Sequence, residues 1–121
     1  MPKKTVLIVG LLAMSWAVAV APTMAATPAE MGRTHFTTQG FAGGSKACSD
    51  CHPNGRGLEQ AGSKSEFAVM GKEHQGLEEV VNMCITQAIH GQAIATDSKE
   101  MRELVSYIRS LGAKAGVGAA K

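Results

Sequence analysis

The chain has 121 residues, with 12 Lys plus Arg against 10 Asp plus Glu and 45% hydrophobic residues. That length holds one small domain and excludes a two-domain enzyme; the apolar fraction and glycine content exclude a disordered or fibrous chain. Much of the apolar content lies before residue 26, so the two ends need separate reading.

Residues 1–25 open with Lys3 and Lys4, run apolar from Thr5 to Ala21, and end in Thr23-Met24-Ala25. A basic start, an apolar middle and small residues two apart are the layout of a secretory signal peptide. The apolar run is about 17 residues, short for a bilayer span. An uncleaved anchor is the rival reading; cleavage after Ala25 is the preferred one, with no membrane span left and a periplasmic domain over residues 26–115. Cleavage removes Lys3 and Lys4 and leaves ten basic residues against ten acidic. The basic character thus belongs to the leader, and a nucleic-acid partner loses its main support.

In chain order, Pro28 to Phe41 reads as a first helix with Met31, His35 and Phe36 near one face, fraying at Gly40. The loop Gly43-Gly44-Ser45 leads into Cys48-Ser49-Asp50-Cys51-His52, the C-x-x-C-H pattern that attaches c-type haem. Two cysteines three apart lie on one side of a helical turn, where each sulfur can add to one porphyrin vinyl group. The adjoining imidazole of His52 can bind the iron. A Cys-x-x-Cys redox pair would need a βαβ context, and half of a zinc site would need a second ligand pair. Neither context is visible, and only one further cysteine exists. With His52 as proximal ligand, its other ring nitrogen should donate to a backbone carbonyl that fixes the tautomer. Pro53 and the run Asn54-Gly55-Arg56-Gly57 should turn the chain away directly afterwards.

The polar stretch from Gly57 to Gly76 reads as a loop with a short helix near Phe67. Leu77, Val80, Val81, Cys84, Ile85, Ala88 and Ile89 recur at spacings of three and four, an amphipathic helix over Leu77 to His90 with Gly91 as C-cap. Cys84 falls mid-stripe, and Met83 points about 100° away. The last helix is expected from Asp97 as N-cap, with Glu100 completing the box, through Met101, Leu104, Val105, Ile108 and Leu111 to Gly112. Residues 116–121 read as a flexible tail. The expected class is all-α: three to four helices and no sheet.

A sixth iron ligand has several candidates: Cys84, Met101, Met70, Met83, His35, His74 and His90. Haem iron accepts thioether, thiolate or imidazole. Small cytochromes c commonly use a methionine in the loop before the last helix, but Gly91 to Thr96 contains none.

Gly32 and Phe36 in the first helix, the haem motif, and Glu103-Leu104-Val105-Ser106-Tyr107-Ile108 in the last together resemble class I cytochromes c. The resemblance covers nearly the whole mature chain. It implies a small cytochrome c fold wrapped around one covalent haem c, with Gly32 and Phe36 crossing Tyr107. The stretch Leu77-Glu78-Glu79-Val80-Val81-Asn82-Met83-Cys84, then Gly91, Asp97-Ser98-Lys99-Glu100-Met101 and Tyr107, is similar to the first haem domain of the dihaem thiosulfate dehydrogenases. That similarity implies Cys84 as the ligand opposite His52. The chain departs from those proteins in having one haem motif and a shorter segment between His52 and Cys84. Face, leftover-cysteine arithmetic and resemblance together put Cys84 first and Met101 second.

The function expected is a one-electron carrier whose partners are redox proteins, docking at a haem edge flanked by Lys46, Lys64 or Lys72. The alternative is a haem subunit of a sulfur-compound-oxidising enzyme that uses Cys84-ligated haem.

Overall fold

The computed structural model describes residues 16–119. Residues 1–15 of the expected leader and 120–121 of the expected tail lie outside the described residues. Residues 16–27 carry no regular structure and are exposed, Trp16, Val18, Val20 and Met24 included. No described helix is long and apolar enough to cross a membrane.

Helix α1 is Pro28–Thr37, shorter at its C-terminus than its apolar pattern suggests. Thr27 starts it with a capping box: the Glu30 N–H donates to the Thr27 hydroxyl at 3.3 Å, and the Thr27 N–H donates to the Glu30 carboxylate at 2.7 Å. Both would otherwise be orphan donors of the first turn. The hydroxyls of Thr34, Thr37 and Thr38 donate back to the carbonyls of Glu30, Arg33 and Thr34. Such bonds offer the backbone an alternative to further helix, and the chain leaves α1 at Thr38 for a tight turn at Phe41–Gly43.

The all-α expectation is overturned between Gly57 and Gly76. Strands β1 (Glu66–Val69) and β2 (Lys72–Gln75) form an antiparallel hairpin, with Phe67 opposite His74 and Val69 opposite Lys72. The protein is therefore a mixed structure of helices and one two-stranded sheet. Met70 and Gly71 both take left-handed backbone angles, φ 52° and 74°. A two-residue hairpin loop needs that pair of angles to match the twist of its strands. Along β1, Phe67 is buried and Val69 half-buried while Glu66 and Ala68 face solvent, the period-two alternation of a half-covered strand.

Helix α2, Leu77–Met83, continues as a wider π turn at Cys84–Ala88. There the Ile89 N–H reaches back five residues to the Cys84 carbonyl at 3.2 Å. The expected cap at Gly91 is also corrected: His90 takes the left-handed position, φ 58°. Gly91 serves close approach instead, since a Cβ there would stand 2.9 Å from the Ala42 carbonyl oxygen.

Helix α3 is Lys99–Ala119. Its cap is Ser98 and not Asp97: the Met101 N–H donates to the Ser98 hydroxyl at 3.2 Å. Gly112 does not end it, so the backbone of residues 116–119, expected as tail, is helical. A glycine inside a helix lowers stability by about 1 kcal/mol without forcing a stop; a Cβ at Gly112 would press to 2.9 Å from the Glu59 carbonyl oxygen, so close packing explains the residue.

Helices α1 and α3 cross at Gly32, where a Cβ would collide with the Glu103 carbonyl and lie 2.8 Å from Tyr107 Cβ. Phe36 packs on Tyr107 with ring centroids 5.1 Å apart. Around this crossing, Ile85, Ile89, Met101, Leu104 and Ile108 form the core with Leu77 and Val81 of α2. Each such side chain contributes about 1.5–3 kcal/mol by leaving water.

Candidate functional site

Between the turn that carries the cysteines, the hairpin, α2 and α3 lies a cavity of about 270 Å³. Phe36, Leu77, Val80, Val81, Leu104 and Ile108 supply its apolar inner wall, and Phe67 and Val69 of β1 supply another. Cys48, His52 and Cys84 all line this same space.

The motif is held locally before any cofactor is considered. Cys48–Asp50 form one tight 3-10 turn. The Asp50 carboxylate closes it by accepting from the Ala47 N–H at 2.9 Å and from the Gln39 amide at 2.8 Å. Those bonds hold the Asp50 carboxyl below its ordinary range, the Ala47 N–H most strongly. The His52 N–H then donates to the Cys48 carbonyl at 3.1 Å. Cys48 is half-buried and Cys51 exposed.

His52 is oriented by its own chain. Pro53–Gly55 turn back, and His52 Nδ1 donates to the Arg56 carbonyl at 2.9 Å. A carbonyl can only accept, so Nδ1 carries a proton, and in the neutral ring Nε2 is the atom with the free lone pair. That is the tautomer a metal-binding imidazole needs.

Burial, with the Cys84 thiol as the next cause, pushes the Cys48 thiol up to about 11. Burial also raises Cys84, with Cys51 adding to it. Both side chains are thus neutral thiols at pH 7. A metal at Cys84 would have to displace a proton. The Cys84 carbonyl accepts the Ile89 N–H across the π turn, a local widening that occurs frequently at functional sites.

The other sequence candidates do not line the cavity. Met101 is 0% exposed, packed in the core at the start of α3. Met70 sits 69% exposed at the hairpin tip, and Met83 stays off the lining. His35 is engaged with Glu103, Nε2 to Oε2 at 2.8 Å. His74 stands on β2 across from Phe67, its Nε2 buried with no hydrogen-bond partner among the described residues. His90 is exposed at the end of the π turn. Of the lysines proposed for docking, only Lys64 reaches the cavity rim.

Sequence reasoning missed Gln60, Phe67 and Val69 as lining residues. The signal that could have found the last two is the alternation Glu-Phe-Ala-Val before Met70-Gly71. Among the described residues no three His, Cys, Asp or Glu side chains converge as a bare metal ion would need. The metal-ligating side chain types on the cavity wall are Cys48, His52 and Cys84. The chain matches no known protein family, no curated protein and no solved structure.

Proposed function

We propose that this chain is an exported monohaem c-type cytochrome that carries single electrons between redox proteins, a class defined by covalent haem attachment and not by an all-helical fold. The observation that carries the reading is the convergence of Cys48, tautomer-fixed His52 and Cys84 on one apolar cavity. A bound haem c would supply the reversible ferric/ferrous couple. Everything else falls to the chain. Cys48 and Cys51 would tether the ring edge by thioether bonds, each thiol giving its sulfur to one vinyl carbon and its proton to the neighbouring one. His52 Nε2 would donate to the iron from one side while Nδ1 stays locked on Arg56. Cys84 would donate from the other side, and the apolar wall would exclude water. With His52 and Cys84 both given to the iron, no position would stay open for substrate, so no catalytic acid or base is assigned.

The leader supports export to the periplasm, where the protein would meet its partners. A second reading, a haem subunit of a sulfur-compound-oxidising enzyme, is favoured by the presence of a third cysteine, Cys84, on the same cavity.

Expression with a haem c maturation system should yield a red periplasmic protein whose pigment stays with the polypeptide in acidified acetone. C48A/C51A should yield colourless protein, or protein that releases its pigment. Colourless wild type, or extractable wild-type pigment, would sink the reading.

A further inference from the structure

We propose that Lys64 is a carboxylate-binding subsite of the cavity, which pairs with a haem propionate and raises the reduction potential of the iron. The inference rests on the haem reading above and assigns a role that the sequence motif does not.

Among the described residues that line the cavity, Lys64 alone carries a fixed charge at neutral pH; no Asp, Glu or Arg joins it. Gln60, one turn earlier, is the one neutral polar side chain beside it. None of the ion pairs among the described residues involves Lys64. The rim therefore presents a cation without a counter-charge, next to a wall of aliphatic and aromatic side chains.

The backbone on both sides of Lys64 is tied down. Its N–H donates to the Ala61 carbonyl at 3.2 Å, closing the turn Ala61–Ser63, and the next residue, Ser65, accepts from the Gly76 N–H at 2.8 Å. Two residues further on, Phe67 enters the cavity wall. Lys64 thus sits directly ahead of the hairpin that would cover the ring, and its flexible stem starts from a fixed point.

Two thioether tethers would stop a porphyrin from rotating in its plane, so its two propionates, which share one edge, could not choose their surroundings. A carboxylate pressed without a partner against Phe36, Leu104 or Ile108 would face a desolvation penalty of several kcal/mol. The cavity has one place where that penalty is offset, the rim at Lys64 and Gln60. Ferric iron carries one more positive charge than ferrous iron, so a nearby ammonium disfavours the ferric state. Lys64 also favours the ionised propionate and so lowers the pH at which it titrates.

The test uses holoprotein, wild type against K64Q, K64R and K72Q, in spectroelectrochemical titrations from pH 5 to 9. Lys64 is exposed, so these variants retain the core. K64Q should shift the ferric/ferrous equilibrium toward ferric by about threefold to tenfold, tenfold being about 59 mV for one electron. The pH range over which the potential falls should move upward in K64Q. K64R should restore both properties. K72Q removes an exposed charge of the hairpin that does not line the cavity, and it should change neither. A K64Q potential and pH profile equal to wild type would overturn the proposal, as would an equal shift in K72Q. Wild type without covalent haem overturns the function itself, whereas covalently loaded protein with an unresponsive Lys64 overturns only this subsite.

Discussion

Cys84 and Met101 can be separated by where each side chain spends its surroundings. Met101 is fully enclosed at the first turn of α3, in contact with core and not with the cavity. Cys84 is half-buried on the cavity wall, at the start of a π turn. Cys84→Ala should therefore change the ferric absorption and EPR spectrum of the holoprotein, because a strong anionic donor is replaced by nothing. Met101→Leu conserves volume and should lower stability by less than about 1.5 kcal/mol with no spectral change. Met101→Ala should cost about 2–5 kcal/mol through transfer and cavity terms. Chemical denaturation followed by circular dichroism, with spectra taken on the same samples, separates these outcomes. An altered spectrum in Met101→Leu would return methionine to the iron. The motif residues were readable because their chemistry needs only local spacing, five consecutive positions. The place of Cys84 on the cavity wall was not fixed by local spacing, because it comes there only through the packing of α2.

At the scale of elements, the crossing of α1 and α3 is held by more than apolar contact. Glu103 is only 6% exposed, yet it is satisfied by His35 from α1 and by Lys99 one turn back on α3. Bonds from Lys99 and then His35 hold the Glu103 carboxyl below its ordinary value of 4.5. A depressed folded-state value means the stabilisation is complete above pH 4.5 and is lost as the pH falls through the folded value. Glu103→Gln should lower the thermal midpoint at pH 7 and flatten its decline between pH 5 and 3; equal slopes in both proteins would exclude the clasp. Gly32→Ala should destabilise by about 1–3 kcal/mol or more at any pH, because the Glu103 backbone has no room to yield. Element by element, the helices were legible from their apolar periodicity and the hairpin was not. Its turn places Met70 where Asn or Asp would signal a left-handed angle, and its strands are only four residues long. The π turn was invisible because the apolar spacing through Cys84, Ile85 and Ala88 looks the same whether the backbone bonds reach four or five residues. The end of α3 was misread because Gly112 was taken for a stop signal when it answers the nearby Glu59 carbonyl.

The whole molecule pairs one C-x-x-C-H motif with a cavity that gathers its side chains from segments 36 to 108, on a chain of formal net charge +2. So small a net charge gives little long-range steering of an ionic substrate or partner. On the carrier reading, a single one-electron centre would also limit what the chain can do alone with thiosulfate. Joining two thiosulfate ions through a new sulfur–sulfur bond releases two electrons, and one haem accepts one of them. The carrier reading therefore expects holoprotein to take up one electron per chain from ascorbate and to return it to ferricyanide. With thiosulfate and an artificial acceptor that thiosulfate does not itself reduce, acceptor reduction should not exceed one equivalent per chain. Continued reduction beyond that equivalent, at a rate proportional to protein concentration and lost in Cys84→Ala, would place the chain among sulfur-oxidising enzymes. In that case Cys84 would have to leave the iron or bind the substrate during each cycle, and the raised thiol at the head of the π turn is the group that would make the exchange.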